Sequence, residues 1–158
     1  MTLQFYATVV GSSQGTFKGE STSPKLLHKI PGVAFSYGIL DPRDAATGAH
    51  SGPRQQQPVI FTKPWGASSP QFYQAAYISE ILPSVLFEFF RPLSDGTESL
   101  DYTITLTNAT VSSTRQFVQL GQLNGPPVDS RDLHEISFHF QKIEIVSPTG
   151  HTEASANW

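Results

Sequence analysis

Gly11-Ser12-Ser13-Gln14-Gly15 spells the G-x-S-x-G pattern of a serine nucleophile, with Ser13 at its centre. That chemistry requires a sharp strand-to-helix turn, which lifts the hydroxyl beside an oxyanion hole. Leu3 to Val10 does alternate apolar and polar residues, as a strand would. The residues that follow, Thr16-Phe17-Lys18-Gly19, open no helix, and no later alternation of strands and helices builds the required parallel sheet. A Gly/Ser hairpin turn is the better reading, with a Ser13 hydrolase as the minor alternative. His134-Glu135 and His139 resemble a zinc-protease motif only superficially. Two His on one helix face need i and i+4 spacing, whereas these are five apart. On a strand that spacing puts them on opposite faces, so surface histidines are expected.

The remaining polar clusters are weaker. His28, His50 and His151 are scattered, and Asp129, Asp132 and Glu135 fit no EF-hand spacing. Gly11, Gly15 and Gly19 lack the Lys-Ser/Thr ending of a phosphate loop. Asn108-Ala109-Thr110 is a glycosylation sequon that carries weight only in a secretory context. Glu88 lies in an aromatic run and needs a partner, for which Arg91 or Arg115 would serve. The residues therefore predict no catalytic site, no metal and no cofactor.

Several strands and one helix must position these groups. Leu26 to Leu40 holds a strand with Val33, Phe35, Tyr37 and Ile39 on one face and the small residues Ala34, Ser36 and Gly38 on the other. Small residues in a strand suit close approach of another backbone. Asp41 to Gln57 has no periodicity and reads as a long loop, of the kind that is functional or disordered. Pro58 to Lys63 is a strand. Ser69 and Pro70 start a helix predicted to run to about Ile81, where Pro83 stops it. Val85 to Leu93 is apolar on both faces, followed by a turn at Ser94-Asp95-Gly96-Thr97. Tyr102, Ile104 and Leu106 alternate with three threonines, and Ala109 to Val118 is a further strand. Leu120 to Asp132 reads as a loop. Leu133 to Val146 changes phase near Gln141 and Lys142, where a bulge is expected. Residues 148–158 read as a loose tail of a single domain spanning 1–158. Seven or eight strands with one helix point to a mainly β fold, a mostly antiparallel β-barrel or sandwich.

Composition narrows the function. Charged residues make up 15% of the 158, against roughly 25% in ordinary soluble domains. The chain has 10 basic and 13 acidic residues and no cysteine. A nucleic-acid binder would carry a basic excess, and disulfides, thiol nucleophiles and Cys zinc sites are excluded. Low charge suits a surface partly covered by copies of itself. The first basic residue is Lys18, so no signal-peptide n-region is visible, and a cytoplasmic start is expected. The most apolar stretch, Ile81 to Phe90, is too short to span a bilayer, so no membrane insertion is expected.

Beyond this, the order of several short motifs is similar to the haemolysin-coregulated protein (Hcp) family of the bacterial type VI secretion system. Gly48-Ala49-His50-Ser51-Gly52-Pro53-Arg54 followed by Pro58-Val59-Ile60-Phe61-Thr62-Lys63 resembles its long loop and next strand. Ser69-Pro70-Gln71-Phe72-Tyr73-Gln74-Ala75 resembles its helix start, and Leu86-Phe87-Glu88-Phe89-Phe90-Arg91 its apolar strand. Tyr102 to Ala109, Glu135 to Ile143 and the early Gly19-Glu20-Ser21 complete the likeness, which runs from about Leu3 to Ile145. His28 to Gly32, Leu120 to Asp132, Pro53 and Gln55 to Gln57 depart from it.

The resemblance implies a mainly β fold, a β-barrel of two antiparallel sheets with one flanking α-helix, and a non-enzymatic tube subunit. It would form a homohexameric ring, stack into a tube and carry effectors. A spike protein and a contractile sheath would be its other partners, and it would be secreted through the system. By family position Asp41, Arg43, Asp44, His50 and Arg54 would belong to the ring-stacking loop, and Glu20 and Ser21 to the loop region opposing it. Ala34, Ser36 and Gly38 suit a packed interface or a smooth lumen wall. A different class of function, a monomeric β-barrel binding module, is suggested by the aromatics Tyr6, Trp65 and Tyr73.

Overall fold

The computed structural model describes residues 4–22, 26–119 and 131–157. The loop reading of Leu120 to Asp132, and Asp129 with it, falls almost wholly outside them. The strands are β1 (Gln4–Gly11), β2 (Gly15–Thr16), β3 (Ile30–Pro31), β4 (Ala34–Ser36), β5 (Ile39–Leu40), β6 (Gln55–Gln56), β7 (Val59–Pro64), β8 (Leu82–Pro92), β9 (Glu98–Gln119), β10 (Arg131–His139), β11 (Lys142–Ser147) and β12 (Thr152–Asn157). Among the described residues a single helix, α1 (Ser69–Tyr77), interrupts them after β7. All pairings are antiparallel.

The protein is mainly β, with two antiparallel sheets hinged on β9. Its first half pairs β8 and β11, and its second half pairs β10. The first sheet runs β12-β11-β9-β8-β1, and the second runs β9-β10-β7-β4. Asn108 marks the corner with φ +51°, and its side-chain amide donates to Gln141 Oε1 at 2.8 Å. The phase change near Gln141 has the same cause. The chain leaves the second sheet at His139 and re-enters the first at Lys142, so a sheet crossing stands where a bulge was expected. For the same reason Ala109 to Val118 is no separate strand but the far half of β9. On the open side, β3 pairs β1 and β4 pairs β7. Gly32 N–H donates to Phe5 O, and Val33 N–H to Thr62 O, so this short segment joins the two outer strands.

Alternation fills the space between the sheets. Phe5, Ala7 and Val9 of β1, Val85, Phe87 and Phe89 of β8, and Ile136 and Phe138 of β10 are buried. Phe5 stacks on Phe89 at 5.1 Å, and Phe61 meets Phe87 edge-on at 5.3 Å. Such aromatic pairs add about 0.5–1.5 kcal/mol each beyond their area burial. Helix α1 closes one end, with Phe72 and Ala75 fully buried.

Three further expectations change. The helix stops at Tyr77 rather than Ile81, because Ser79 takes φ +51° and Glu80 N–H returns to Ala75 O. That is a Schellman closure, and Pro83 lies within β8. Leu26 to Leu40 breaks into three short strands instead of one. The C-terminal segment expected to be loose pairs along β11, from Lys142↔Asn157 to Ser147↔Thr152. Its sequence lacks apolar alternation, and the backbone ladder holds it.

Candidate functional site

Ser13 lies in the three-residue turn of the β1–β2 hairpin, closed by Gly15 at φ +72°. Its N–H and that of Gln14 donate to Glu80 Oε2 at 3.1 and 3.0 Å, and Gln14 Nε2 donates to Glu80 Oε1. These bonds hold the Glu80 carboxyl below its usual pKa, against a burial effect that raises it. Gly11 is needed here, because a Cβ would sit 2.0 Å from Glu80 Oε2. The motif is a carboxylate-bound turn, with no strand-to-helix elbow around Ser13.

His134 corrects the reading of the histidines. His139 is exposed, but His134 is fully buried. Its parity with Ile136 and Phe138 points it inward, opposite Lys63 in the β10–β7 register. Lys63 is also fully buried, sharing parity with Val59 and Phe61. Lys63 Nζ donates to Pro64 O at 2.5 Å and Ser69 Oγ at 3.3 Å, and pairs with Glu20 Oε1 at 3.2 Å. Burial pushes the Lys63 pKa down, while Glu20 opposes the shift. His134 lies between Ser69 Oγ, at 3.2 Å from Nδ1, and Thr114 Oγ1 on Nε2, and stacks on Tyr73 at 5.3 Å. Burial first, then the Lys63 charge, lowers its pKa from 6.5 to about 4.

Glu20 is committed to this network. Its Oε1 accepts from Ser68 N–H at 2.8 Å and Ser68 Oγ–H at 2.6 Å at the start of α1. Ser68, rather than Ser69, precedes the helix, and it caps through Glu20 instead of its own hydroxyl. Gly66 makes room, since a Cβ there would lie 2.3 Å from Glu20 Cγ. Ser21 N–H donates to Lys29 O at 3.0 Å. Lys29 in turn pairs with Glu88, so neither Arg91 nor Arg115 is the partner of that carboxylate. Arg91 pairs with Asp101, and Arg115 with Glu135.

The expected loop is an ordered two-stranded arm. Gln57 N–H donates to Gly38 O, β5 pairs β6, and an isolated bridge joins Arg43 and His50. Asp41 binds both, Arg43 Nη2 at 3.1 Å and His50 Nδ1 at 3.0 Å. Asp44 O accepts from Gly48 N–H, and Asp44 Oδ1 from Ala46 N–H. Residues 43–55, including Arg54, are all exposed, as are the arm's apolar Ile39 and Leu40, at 50 and 52%.

Ala34 and Ser36 are exposed on the outer face of the second sheet, and Gly38 lies at the arm's base. Register lines up Ser36, Ile60, Ser137 and Ser113 in one row, and Ala34, Thr62, Glu135 and Arg115 in the next. One uncharged row therefore adjoins a row with a single ion pair. The aromatics Tyr6, Trp65 and Tyr73 form no common platform. Tyr6 packs on Phe90, Trp65 Nε1 donates to Leu133 O, and Tyr73 stacks on His134.

A two-sheet β protein with an ordered arm and one end-capping helix defines the class. A family model described as "Type VI secretion system effector, Hcp" matches residues 6–146. The chain belongs to the Hcp family of type VI secretion proteins. The "Major exported protein" of Pseudomonas aeruginosa PAO1 is 27% identical over 124 residues, covering 78% of this chain and 72% of that one. A solved structure described as "Crystal structure of Hcp protein" superposes with TM-score 0.87 at 23% identity, covering 98% of this chain and 99% of that one. Hcp1 of E. coli EAEC 042, solved as a mutant, gives 0.85 at 22% identity, with 99% of each chain covered. Secreted Hcp3 of P. aeruginosa gives 0.78 at 20% identity, again covering 99% of each.

Proposed function

We propose that this protein is a structural subunit of the type VI inner tube. Six copies close into a ring, rings stack, and the tube carries effector proteins outward, driven by the contractile sheath behind a spike protein. The observation that carries this reading is the braced arm of residues 38–57, folded by its own hydrogen bonds yet almost wholly exposed. An ordered exposed hairpin with apolar Ile39 and Leu40 is costly to leave bare and suits contact with the next ring. The edge strands β4 and β12 suit a head-to-tail ring, in which two different patches meet. The uncharged row through Ser36 and the adjoining row through Ala34, with its single ion pair, suit a lumen wall or a ring interface. In the opposing segment Glu20 acts by holding the chain in place, and Ser21 lies beside it. The protein works by assembly rather than catalysis.

Deleting Ala46 to Pro53 tests the assignment. Electron microscopy of the purified variant should show intact rings that no longer stack. Loss of the rings themselves would place the subunit interface on the arm and overturn the stacking role.

A further inference from the structure

Hydrogen-bond counting fixes the state of the buried network around His134. A hydroxyl has one proton and two lone pairs. Ser69 Oγ accepts from Gly66 N–H at 3.2 Å and from Lys63 Nζ at 3.3 Å. Both lone pairs are then used, and its own proton must go to His134 Nδ1, 3.2 Å away. His134 Nδ1 is therefore an acceptor, and Nε2 carries the hydrogen and donates to Thr114 Oγ1. The three Lys63 protons are also placed, on Pro64 O, Ser69 Oγ and Glu20 Oε1. Every donor of this set is matched, and the Ser69 hydroxyl is fully used, only while the imidazole is neutral.

A second proton on His134 breaks that count. An imidazolium donates from both nitrogens, so Nδ1–H would face the Ser69 hydroxyl proton with no free lone pair behind it. To accept it, Ser69 must release either Lys63 or Gly66. The groups in direct contact with the ring carry no negative charge. β7 brings the Lys63 cation, α1 brings the Tyr73 ring and β9 brings Thr114. The nearby carboxylate, Glu20, spends Oε1 on Lys63 and Ser68, leaves Oε2 buried without a hydrogen-bond partner, and opposes the effect of Lys63 on the ring without outweighing burial; Asp132 acts on Lys63. We propose that this network is an acid-sensitive latch: protonation of His134 uncouples the start of α1, and the Glu20 segment bound to it, from the second sheet. The latch stands on the hydrogen-bond geometry and is independent of the tube reading.

The direct test is an imidazole-nitrogen NMR titration of the full-length protein labelled at histidine. His134 should show the Nε2–H tautomer at neutral pH and stay uncharged well below pH 6, titrating near 4. Hydrogen exchange adds the mechanical readout. After correction for intrinsic rates, protection of the 66–72 amides should fall about tenfold or more between pH 6.5 and 4. His134→Gln, which can accept from Ser69 and donate to Thr114 without titrating, should abolish that loss. The Nδ1–H tautomer, titration at pH 6 or above, or an unchanged acid response in His134→Gln would each overturn the proposal.

Discussion

The buried network and the exposed arm use the same three kinds of residue. Each joins a histidine, a cation and a carboxylate: His134, Lys63 and Glu20 in one, and His50, Arg43 and Asp41 in the other. In the first, Lys63 and His134 have no exposed surface. In the second, the Arg43 and His50 side chains are 53 and 65% exposed. Location decides what the chemistry does. Inside, every proton of Lys63, Ser69 and His134 is assigned a partner, and a further proton on His134 meets no free lone pair on Ser69. Outside, water competes for every group, so the ion pairs shape the arm more than they stabilise the fold.

The largest effect should come from breaking the interior set. Lys63→Met strands Glu20 and Ser69, and losing one partner of a buried ion pair costs about 3–5 kcal/mol. Urea denaturation at neutral pH would measure it. A loss under 1 kcal/mol would show that the interior resembles the arm after all.

The next effect is acid sensitivity. Because His134 is held neutral in the fold, the unfolded chain binds a proton that the folded chain refuses. The associated stability is full above about pH 6.5 and is lost as pH falls towards 4. By pH 4, where the folded imidazole is half protonated, the drop should be about 3 kcal/mol. Denaturation midpoints measured from pH 7 to 4, for wild type and His134→Gln, would give it by difference.

Glu80→Ala should cost about 1–3 kcal/mol, because the Ser13 and Gln14 amides lose their shared acceptor. The loss should also expose the β1–β2 turn to proteolysis. On the arm, Arg43→Ala should change stability by no more than about 1 kcal/mol, as exposed pairs do. A larger loss would mean that the arm is part of the folded core rather than an appendage.

The sequence shows the fold class through alternation. Leu3 to Val10, Tyr102 to Leu106 and Ile136 to Phe140 all keep period two, and burial follows it at Phe5, Ala7 and Val9, at Ile104 and Leu106, and at Ile136, Phe138 and Phe140, whereas Tyr102 is exposed and Ser137 is buried out of phase. The same parity, followed one step further, would have placed Lys63 and His134 inside. Lys63 continues Val59 and Phe61, and His134 precedes Ile136 and Phe138. Residue type outweighed pattern, because charged residues are seldom buried unless paired. The partners that make burial possible, Glu20 and Ser69, are distant in sequence. The arm was hidden for the opposite reason. Its strands are two residues each, and its bracing comes from Asp41, Arg43 and His50 rather than from apolar periodicity. The β12 strand likewise shows no alternation to read.

Sedimentation of the purified chain tests the central claim most directly. The tube reading predicts a discrete species of six chains, about 104 kDa from a 17.3 kDa subunit. A single species at the mass of one chain across all concentrations would contradict it.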